Sequence, residues 1–244
     1  MNRKLIILIG LSALAIYIVF AVATFAFKSD TQICNNLEIV VKDSTRLNFI
    51  TPKEMRQLLT SNGLNPVGMN MSDVPADKIE AMLKNQSRIK QVVCYKTPSG
   101  AFHIELTQRE PVLRVMLNNG KSYYVDCDGV IIPDSDNFTA YVPVATGAVS
   151  EKLAKGALYD FALFLRRDKF WNAQIEQIYV GTDENVEIIP RVGNQIILLG
   201  KLDNYEYKLK KLFALYKNGF SRTGWNCYRQ IDLRFENQVV CTKK

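Results

Sequence analysis

The sequence predicts an α+β protein with three parts: a single N-terminal transmembrane helix, a small β-α-α-β-β domain, and a mixed β-sheet domain with two flanking helices. Three observations predict this fold class. An uncharged apolar run comes first, short strand-like segments bounded by turn residues follow, and amphipathic helical segments lie between them. The 244 residues suffice for two domains with buried cores. With 23% charged residues and no low-complexity tract, the composition excludes wholesale disorder.

The first element is the apolar run over residues 5–27, which holds 20 apolar residues in 23 and no charge. As a helix it would be about 34 Å long, enough to cross a hydrocarbon core of ~30 Å. Arg3 and Lys4 precede it, so the positive-inside rule places residues 1–4 in the cytoplasm and exports the rest. A cleavable signal peptide is the alternative, because Ala21-Val22-Ala23 resembles a cleavage site. The run is longer than a signal-peptide core, which favours a retained anchor.

A linker over residues 28–36 leads to a first domain over residues 37–110. Thr51, Pro52 and Glu54 have the residue types preferred at the N-cap, first and third positions of a helix. The predicted elements are a strand over 37–41, a helix that starts at Thr51 and stops at Asn62-Gly63, a helix over 75–84, and a hairpin of strands 89–96 and 101–108. The domain therefore has the order β-α-α-β-β.

The chain has one histidine, and it lies in the last strand of this domain. His103 alternates with Phe102 and Ile104, so we expect it on the exposed face of the strand. A single histidine argues against a multi-histidine metal site, and its position beside Glu105 shows no sign of an activated catalytic group. The sequence also lacks a glycine-rich phosphate-binding motif. We therefore predict a protein that is not an enzyme and holds no cofactor or metal.

The second domain covers residues 111–244 and starts at Pro111, because proline cannot donate to a central sheet ladder. Its predicted elements are strands over 112–117, 123–125 and 130–132, a helix over 151–170, strands over 175–180, 186–189 and 195–199, a helix over 203–218, and a last strand over 231–235 followed by 238–241. Asp126 and Asp128 suggest a calcium loop, but the further carboxylates of such a loop are missing. The Asp-Gly pair favours a hairpin turn.

Charge and cysteine usage are less decisive. Residues 201–244 carry 10 basic and 4 acidic side chains, a net charge of +6. Such an end suggests nucleic acid or an anionic membrane surface. We favour a solvated helix face, and an exported domain makes nucleic acid an unsuitable partner.

The five cysteines contain no C-x-x-C pair, and their odd number leaves at least one thiol unpaired within the chain.

The last predicted strand is the main candidate for a binding site. Ile231, Leu233 and Phe235 alternate with Asp232 and Arg234, so one face packs on the core while the other stays wet. We expect this strand at a sheet edge, where unpaired amides and carbonyls can pair with a partner strand. The alternative is a closing strand whose edge is merely protected by lysines.

Six short motifs occur in a fixed order behind the apolar run. They are Gln108-Arg109-Glu110-Pro111-Val112, the Y-x-x-D-x-x-G segment 123–129, Val142-Pro143-Val144-Ala145-Thr146-Gly147, Leu199-Gly200, the lysine-rich helix 208–217, and Asp232-Leu233-Arg234-Phe235. In this order they resemble the FtsQ/DivIB family of bacterial cell-division proteins over nearly the whole chain. The resemblance implies that residues 37–110 form a POTRA domain and residues 111–244 an FtsQ-like β domain.

The resemblance also implies a function. It implies a single-pass scaffold of the divisome in the cytoplasmic (inner) membrane at the division septum, with the N-terminus in the cytoplasm and the C-terminal domain in the periplasm. Its implied partners for septal cell-wall synthesis are FtsB/DivIC-like and FtsL-like coiled-coil proteins, with other divisome membrane proteins as further candidates.

The resemblance assigns the partner contacts to the end of the chain. It implies that Arg234, Phe235 and Asn237 contact the FtsB-like partner, Arg234 through a partner carboxylate and Phe235 through a hydrophobic contact. Val239 and Val240 would continue the paired edge. The complete candidate site is Ile231, Asp232, Leu233, Arg234, Phe235, Asn237, Val239 and Val240.

Two other functions remain as alternatives. A membrane-anchored envelope enzyme such as a hydrolase would show substrate turnover. Another POTRA-bearing envelope assembly protein would carry tandem POTRA repeats or a run of barrel strands, whereas the sequence shows one such unit and too few residues for a barrel. Capture of coiled-coil division proteins by the exported domain would favour the scaffold.

Overall fold

The computed structural model of the chain describes residues 10–22, 32–42, 49–134, 139–220 and 224–244. Residues 10–22 are helical (α1). The predicted tail 1–4 and parts of the predicted transmembrane helix and linker lie outside the described residues. In the described part of the chain, no helix is both long and apolar enough to cross a membrane. The chain divides into two compact units, Met1–Gln108 and Arg109–Lys244.

The first unit has the predicted β-α-α-β-β order. Its elements after α1 are β1 (Asn36–Val41), α2 (Pro52–Ser61), α3 (Ala76–Lys84), β2 (Ile89–Lys96) and β3 (Ala101–Gln108). The three strands form one sheet in the order β1-β3-β2, with β1 parallel and β2 antiparallel to β3. Phe102, Ile104 and Leu106 are fully buried, so the alternation of β3 directs them into the core as expected.

The start of α2 follows the sequence signal. The Thr51 hydroxyl accepts a hydrogen bond from the backbone N–H of Glu54 at 3.2 Å, and Pro52 is the first helical residue. The Glu54 carboxylate accepts from Arg88 Nη2 at 2.5 Å. Arg88 also donates to the Phe49 carbonyl at 2.8 Å, so it ties the start of the helix to the segment before β2.

The single histidine is less exposed than expected. Sheet register places Glu38 of β1 and Tyr95 of β2 on either side of His103. The Tyr95 ring stacks on the imidazole at 5.0 Å between centroids, and His103 Nδ1 lies 3.3 Å from the Glu38 carboxylate. His103 is therefore half-buried, because its cross-strand neighbours cover a side chain that local alternation alone directs to solvent.

The second unit is built on a mixed nine-stranded sheet. Its elements are β4 (Pro111–Met116), β5 (Ser122–Asp126), β6 (Ile131–Pro133), β7 (Val144–Gly147), α4 (Glu151–Lys155), α5 (Ala157–Arg167), α6 (Lys169–Gln174), β8 (Ile175–Val180), β9 (Val186–Pro190), β10 (Ile196–Gly200), α7 (Tyr205–Leu215), a π-helical turn (Tyr216–Phe220), β11 (Tyr228–Asp232) and β12 (Val240–Lys243). The strand order across the sheet is β12-β11-β10-β9-β8-β7-β4-β5-β6.

A continuous row of inward side chains crosses this sheet from β11 to β4. Each member is a cross-strand partner of the next, and none is more than 1% exposed. The row is Ile231, Ile197, Ile188, Ile178, Ala145 and Val115. The buried residues of α5 and α7 belong to the same core, so these helices cover this face.

The predicted helix over 151–170 is three helices in the structure. At Gly156 the backbone leaves the helical region, with φ −111° and ψ −118°. The Asp168 carboxylate caps a new helix by accepting from the N–H groups of Phe170 and Trp171. The continuous-helix prediction was wrong because the apolar period carries on across both breaks, while a glycine and an aspartate cap interrupt the backbone.

The expected edge position of the last predicted strand was also wrong. Strand β11 ends at Asp232 and pairs in parallel with β10 and antiparallel with β12. The chain reverses in the loop over residues 233–239, and β12 becomes the edge. Phe235 therefore lies outside the strand alternation, and 45% of it is exposed rather than packed on the core with Ile231 and Leu233.

Asp126 organises the predicted hairpin turn after β5. One oxygen of the fully buried carboxylate accepts from the N–H groups of Asp128 at 2.9 Å and Val130 at 2.7 Å. The other accepts from Arg109 Nη1 at 2.8 Å. The carboxylate is thus satisfied by N–H donors, and no cluster of acidic, histidine or cysteine side chains in the described ranges is arranged to hold a metal ion.

We predict that Asp126→Ala lowers the free energy of unfolding by about 3–5 kcal/mol, because it leaves the Arg109 guanidinium without its buried partner. Asp128→Ala is the matched control: its exposed carboxylate lies 3.8 Å from Arg109, and we expect a loss of at most ~1 kcal/mol. Urea unfolding followed by tryptophan fluorescence measures both, since Trp171 and Trp225 belong to this unit. Equal effects would contradict the assigned role.

Candidate functional site

The outer side of β12 is an open sheet edge. Among the described residues, β12 pairs only with β11. Just beyond the strand, the Lys244 N–H donates to the Cys227 carbonyl beside β11 at 3.3 Å. Because successive N–H groups of a strand point to opposite sides, those of Cys241 and Lys243 point away from β11. These groups are available to another strand.

Lys211 of α7 holds the loop over residues 233–239 that precedes this edge. Its ammonium group donates to the backbone carbonyls of Leu233 at 3.1 Å, Phe235 at 2.5 Å and Gln238 at 3.2 Å. Desolvation lowers the pKa of Lys211, and the charge of Lys208 lowers it further. The loop thus has a defined shape because one cation satisfies three of its carbonyl groups.

A second contact fixes the reversal of the same loop. The Tyr207 hydroxyl donates to Asn237 Oδ1 at 2.8 Å. Asn237 has a φ of 55°, in the left-handed region that asparagine tolerates better than most residues. The Tyr207 ring also lies under the Lys211 ammonium, 5.3 Å from its centroid. The Asn237 side chain at the turn is thereby tied to α7.

Arg234 is paired within the chain. Its Nε donates to Asp232 Oδ1 at 2.9 Å and its Nη2 to Oδ2 at 2.6 Å. The side chain lies over Gly200, where a Cβ atom would come within 2.9 Å of Arg234 Cγ. Hydrogen bonding by Arg234 holds the pKa of Asp232 below its usual value. The carboxylate that we expected a partner to supply is therefore already present in Asp232.

The structure divides the eight candidate residues into three groups by burial. Ile231, Leu233 and Asp232 are buried and support the edge from within. Four are exposed around the loop and the edge: Arg234, Phe235, Asn237 and Val240. Val239 is half-buried and packs against the core.

Sequence reasoning missed the residues that shape the site. Lys211 and Tyr207 read as ordinary surface residues of a lysine-rich helix, and nothing in the sequence connects them to carbonyl or amide groups more than twenty residues later. Cys241 and Lys243 were placed only at or beyond the end of the last strand. A stronger sequence signal was present for Gly200, which is the glycine of the Leu-Gly motif and the last residue of β10.

Comparison with protein families identifies both units. Residues 110–242 match the family model described as FtsQ/DivIB, C-terminal related, and residues 32–107 match a POTRA-like domain. The first match alone covers more than half of the chain. The chain belongs to the FtsQ/DivIB family. A comparison with curated proteins finds no match.

Family membership confirms the resemblance drawn from the six motifs. FtsQ/DivIB domains indicate a cell-division scaffold, and the family is non-catalytic. The membership favours a division protein over the envelope hydrolase. It also disfavours a POTRA-bearing assembly protein of another type, because the FtsQ/DivIB match covers the sheet that carries the candidate site.

Asp232→Asn should lower the stability of this FtsQ/DivIB protein at neutral pH by about 1–2 kcal/mol, because Arg234 loses its charged acceptor. The folded-state pKa of Asp232 is below the ordinary value of 3.8, so its stabilisation is present above that value and is lost as the pH falls through the folded pKa. The difference from wild type should therefore shrink in acid.

Urea unfolding at neutral and acidic pH measures this difference. Glu236→Gln is the control, since Glu236 is an exposed carboxylate of the same loop. A wild-type advantage over Asp232→Asn that stays constant down to strongly acidic pH would refute the role of the Asp232–Arg234 pair.

Proposed function

We propose that this protein is a single-pass divisome scaffold in the cytoplasmic membrane that recruits FtsB/DivIC-like and FtsL-like proteins by strand addition to β12. The open edge of β12, with exposed Phe235 and Val240 beside it, is the observation that carries the proposal. Family membership supports the division role. Strand addition explains how a member of a non-catalytic family would act through its main chain.

The membrane attachment is proposed from the sequence. The apolar run over residues 5–27 would form the anchor, residues 28–36 the linker, and residues 37–110 and 111–244 the two exported domains. The positive charges before the run support a cytoplasmic N-terminus and a periplasmic C-terminal domain. The septal location is proposed from family membership. Other divisome membrane proteins are further proposed partners.

Strand addition would use two kinds of contact. The N–H groups of Cys241 and Lys243 and the carbonyls on the same side would bond to the partner's main chain, each bond contributing about 0.5–1.5 kcal/mol net. Side-chain pockets provide specificity in this type of recognition. The exposed apolar surfaces of Phe235 and Val240 would supply it here, with the Phe235 ring as the aromatic anchor.

The contacts around the loop support rapid and specific pairing. Lys211 and Tyr207 hold residues 233–239 in place before any partner arrives. A preordered edge loses less conformational entropy on binding than a flexible segment does. Arg234, already neutralised by Asp232, would shape the edge rather than provide a free cation.

We predict that Lys243→Pro reduces capture of the FtsB-like and FtsL-like proteins about tenfold or more, because proline removes an outward N–H and obstructs an added strand. Pairing of β12 with β11 should survive, since that N–H points away from β11. Lys243→Ala is the matched control, which loses the charge but keeps the N–H group. Co-purification of the full chain with its membrane neighbours measures the effect. Equal loss in both variants would contradict strand addition.

We also predict that Phe235→Glu abolishes recruitment while the protein stays in the membrane, because it replaces the exposed aromatic anchor with a charge. Tyr141→Glu, which changes an exposed aromatic residue just before β7, should recruit normally. Septal localisation of the partners in cells measures the outcome. Partner binding by a folded Phe235→Glu protein at wild-type affinity would refute the assigned anchor.

A further inference from the structure

A surface of exposed aromatic rings lies in the second unit, on the side of the sheet covered by helices. The aromatic patch consists of Phe170, Phe213 and Trp225, which are 37%, 43% and 36% exposed. Phe170 of α6 and Phe213 of α7 meet edge to face at 5.0 Å between centroids. Trp225 packs on Tyr216 and Phe220, each at 5.0 Å. Tyr216 contacts both Phe170 and Trp225, so the three exposed rings belong to one cluster of contacting rings.

The exposure of these rings is fixed by what lies beneath them. Trp171, Tyr216 and Phe220 are buried and contact the patch from below. Trp171 lies 4.8 Å from Phe170, and Tyr216 lies 6.4 Å from it. Since the space beneath is already filled with rings, the aromatic patch has no room to turn inward. Three large apolar groups are therefore held at the surface of the second unit.

The aromatic patch is bordered by lysines. Lys169 directly precedes Phe170, and Lys210 and Lys217 lie about one helical turn before and after Phe213. All three are exposed, and none forms an ion pair within the described part of the chain. Glu206, one turn before Lys210, is the nearest acidic side chain along α7.

Other lysines of the basic C-terminal end have internal roles. Lys208 pairs with Asp203 at 2.5 Å, and Lys211 binds the carbonyls of the loop over residues 233–239. Lys210 and Lys217 have no such contact in the described structure. Lys210 and Lys217, which border the aromatic patch, thus contribute positive charge that no internal contact of the described structure uses.

We propose that the aromatic patch and its three lysines bind the anionic surface of a lipid bilayer. Aromatic rings favour the headgroup region, and lysine side chains reach from it to anionic lipid phosphates. The inference rests in part on the proposed anchor over residues 5–27, which would keep the patch at high effective concentration near the bilayer. Such a contact would hold the second unit against the membrane and fix the direction in which β12 faces.

The charges favour a bilayer over a protein partner. Three exposed lysines border the patch, whereas the adjacent Asp168 carboxylate is occupied in capping α6. Each lysine near an anionic surface strengthens binding roughly fivefold. A protein partner would need a matching ring of acidic groups around an apolar centre. That arrangement is an outcome of the test below, and it would overturn the proposal.

The test uses the full chain reconstituted in vesicles whose lipids carry brominated acyl chains, which quench tryptophan on contact. The chain has two tryptophans, so Trp171→Phe leaves Trp225 as the only tryptophan whose fluorescence is measured. We expect strong quenching in phosphatidylglycerol vesicles, weaker quenching in phosphatidylcholine vesicles, and a decrease with added salt. In the complementary variant Trp225→Phe, the buried Trp171 should be quenched little. If Trp171→Phe fails to fold, the quenching that the wild-type chain shows beyond that of Trp225→Phe reports on Trp225.

Substitutions in the patch should reduce the quenching of Trp225. We expect Phe213→Asp to reduce it severalfold, and Lys210→Glu with Lys217→Glu to remove its dependence on phosphatidylglycerol and salt. Tyr179→Asp is the matched control, because Tyr179 is also 43% exposed but lies on the sheet face opposite the helices. The quenching of Trp225 in this variant should equal that in the chain that keeps Tyr179.

Three results would overturn the proposal. The first is the absence of Trp225 quenching in phosphatidylglycerol vesicles. The second is an equal decrease in Phe213→Asp and Tyr179→Asp. The third is unchanged quenching in Phe213→Asp together with loss of a co-purifying acidic protein, which would make the patch a protein interface. Alkaline carbonate extraction of the same vesicles tests the anchor separately: a chain that is extracted but was quenched beforehand refutes the anchor and supports the patch.

Discussion

The buried row of side chains that crosses the large sheet is the constraint on which the second unit depends. Ile231 is the member contributed by β11. It lies opposite Ile197 of β10 and belongs to the same core as the buried residues of α7. Strand β11 pairs with β10 on one side, and the chain adds β12 on its other side. Core packing buries the inner face of β11, and β12, as the outermost strand, has the open edge.

Polar contacts then give that edge a defined shape. Lys211 of α7 donates hydrogen bonds to carbonyl groups of the loop over residues 233–239. Asp232 pairs with Arg234, whose side chain lies over Gly200. These contacts join elements that the core has already brought together, so each needs little additional ordering of the chain. The same helix that buries Leu209 inward thus positions the recognition loop outward.

The two proposed surfaces have different physical origins. An edge strand leaves main-chain groups without partners, so it attracts another strand whatever its sequence, and side chains such as Phe235 select among candidates. The aromatic patch instead offers apolar area bordered by cations, which suits a bilayer surface. A scaffold that used both surfaces would bind its partner at the edge of β12 and fix its own orientation by contact of the aromatic patch with the bilayer.

Local sequence determined the parts of the fold that depend on neighbours along the chain: the cap at Thr51, the hairpins, the turn at Asp126, the inward face of β3, and the motif order that indicated the family. It also predicted a binding site at the end of the chain, which stays a prediction. Only the tertiary structure decided that β12 rather than β11 is the edge, that Phe235 faces outward, and that Lys211 holds the loop. Alternation along a strand specifies which face a side chain takes, but strand neighbours are set by packing between segments distant in sequence, and no local period records that choice.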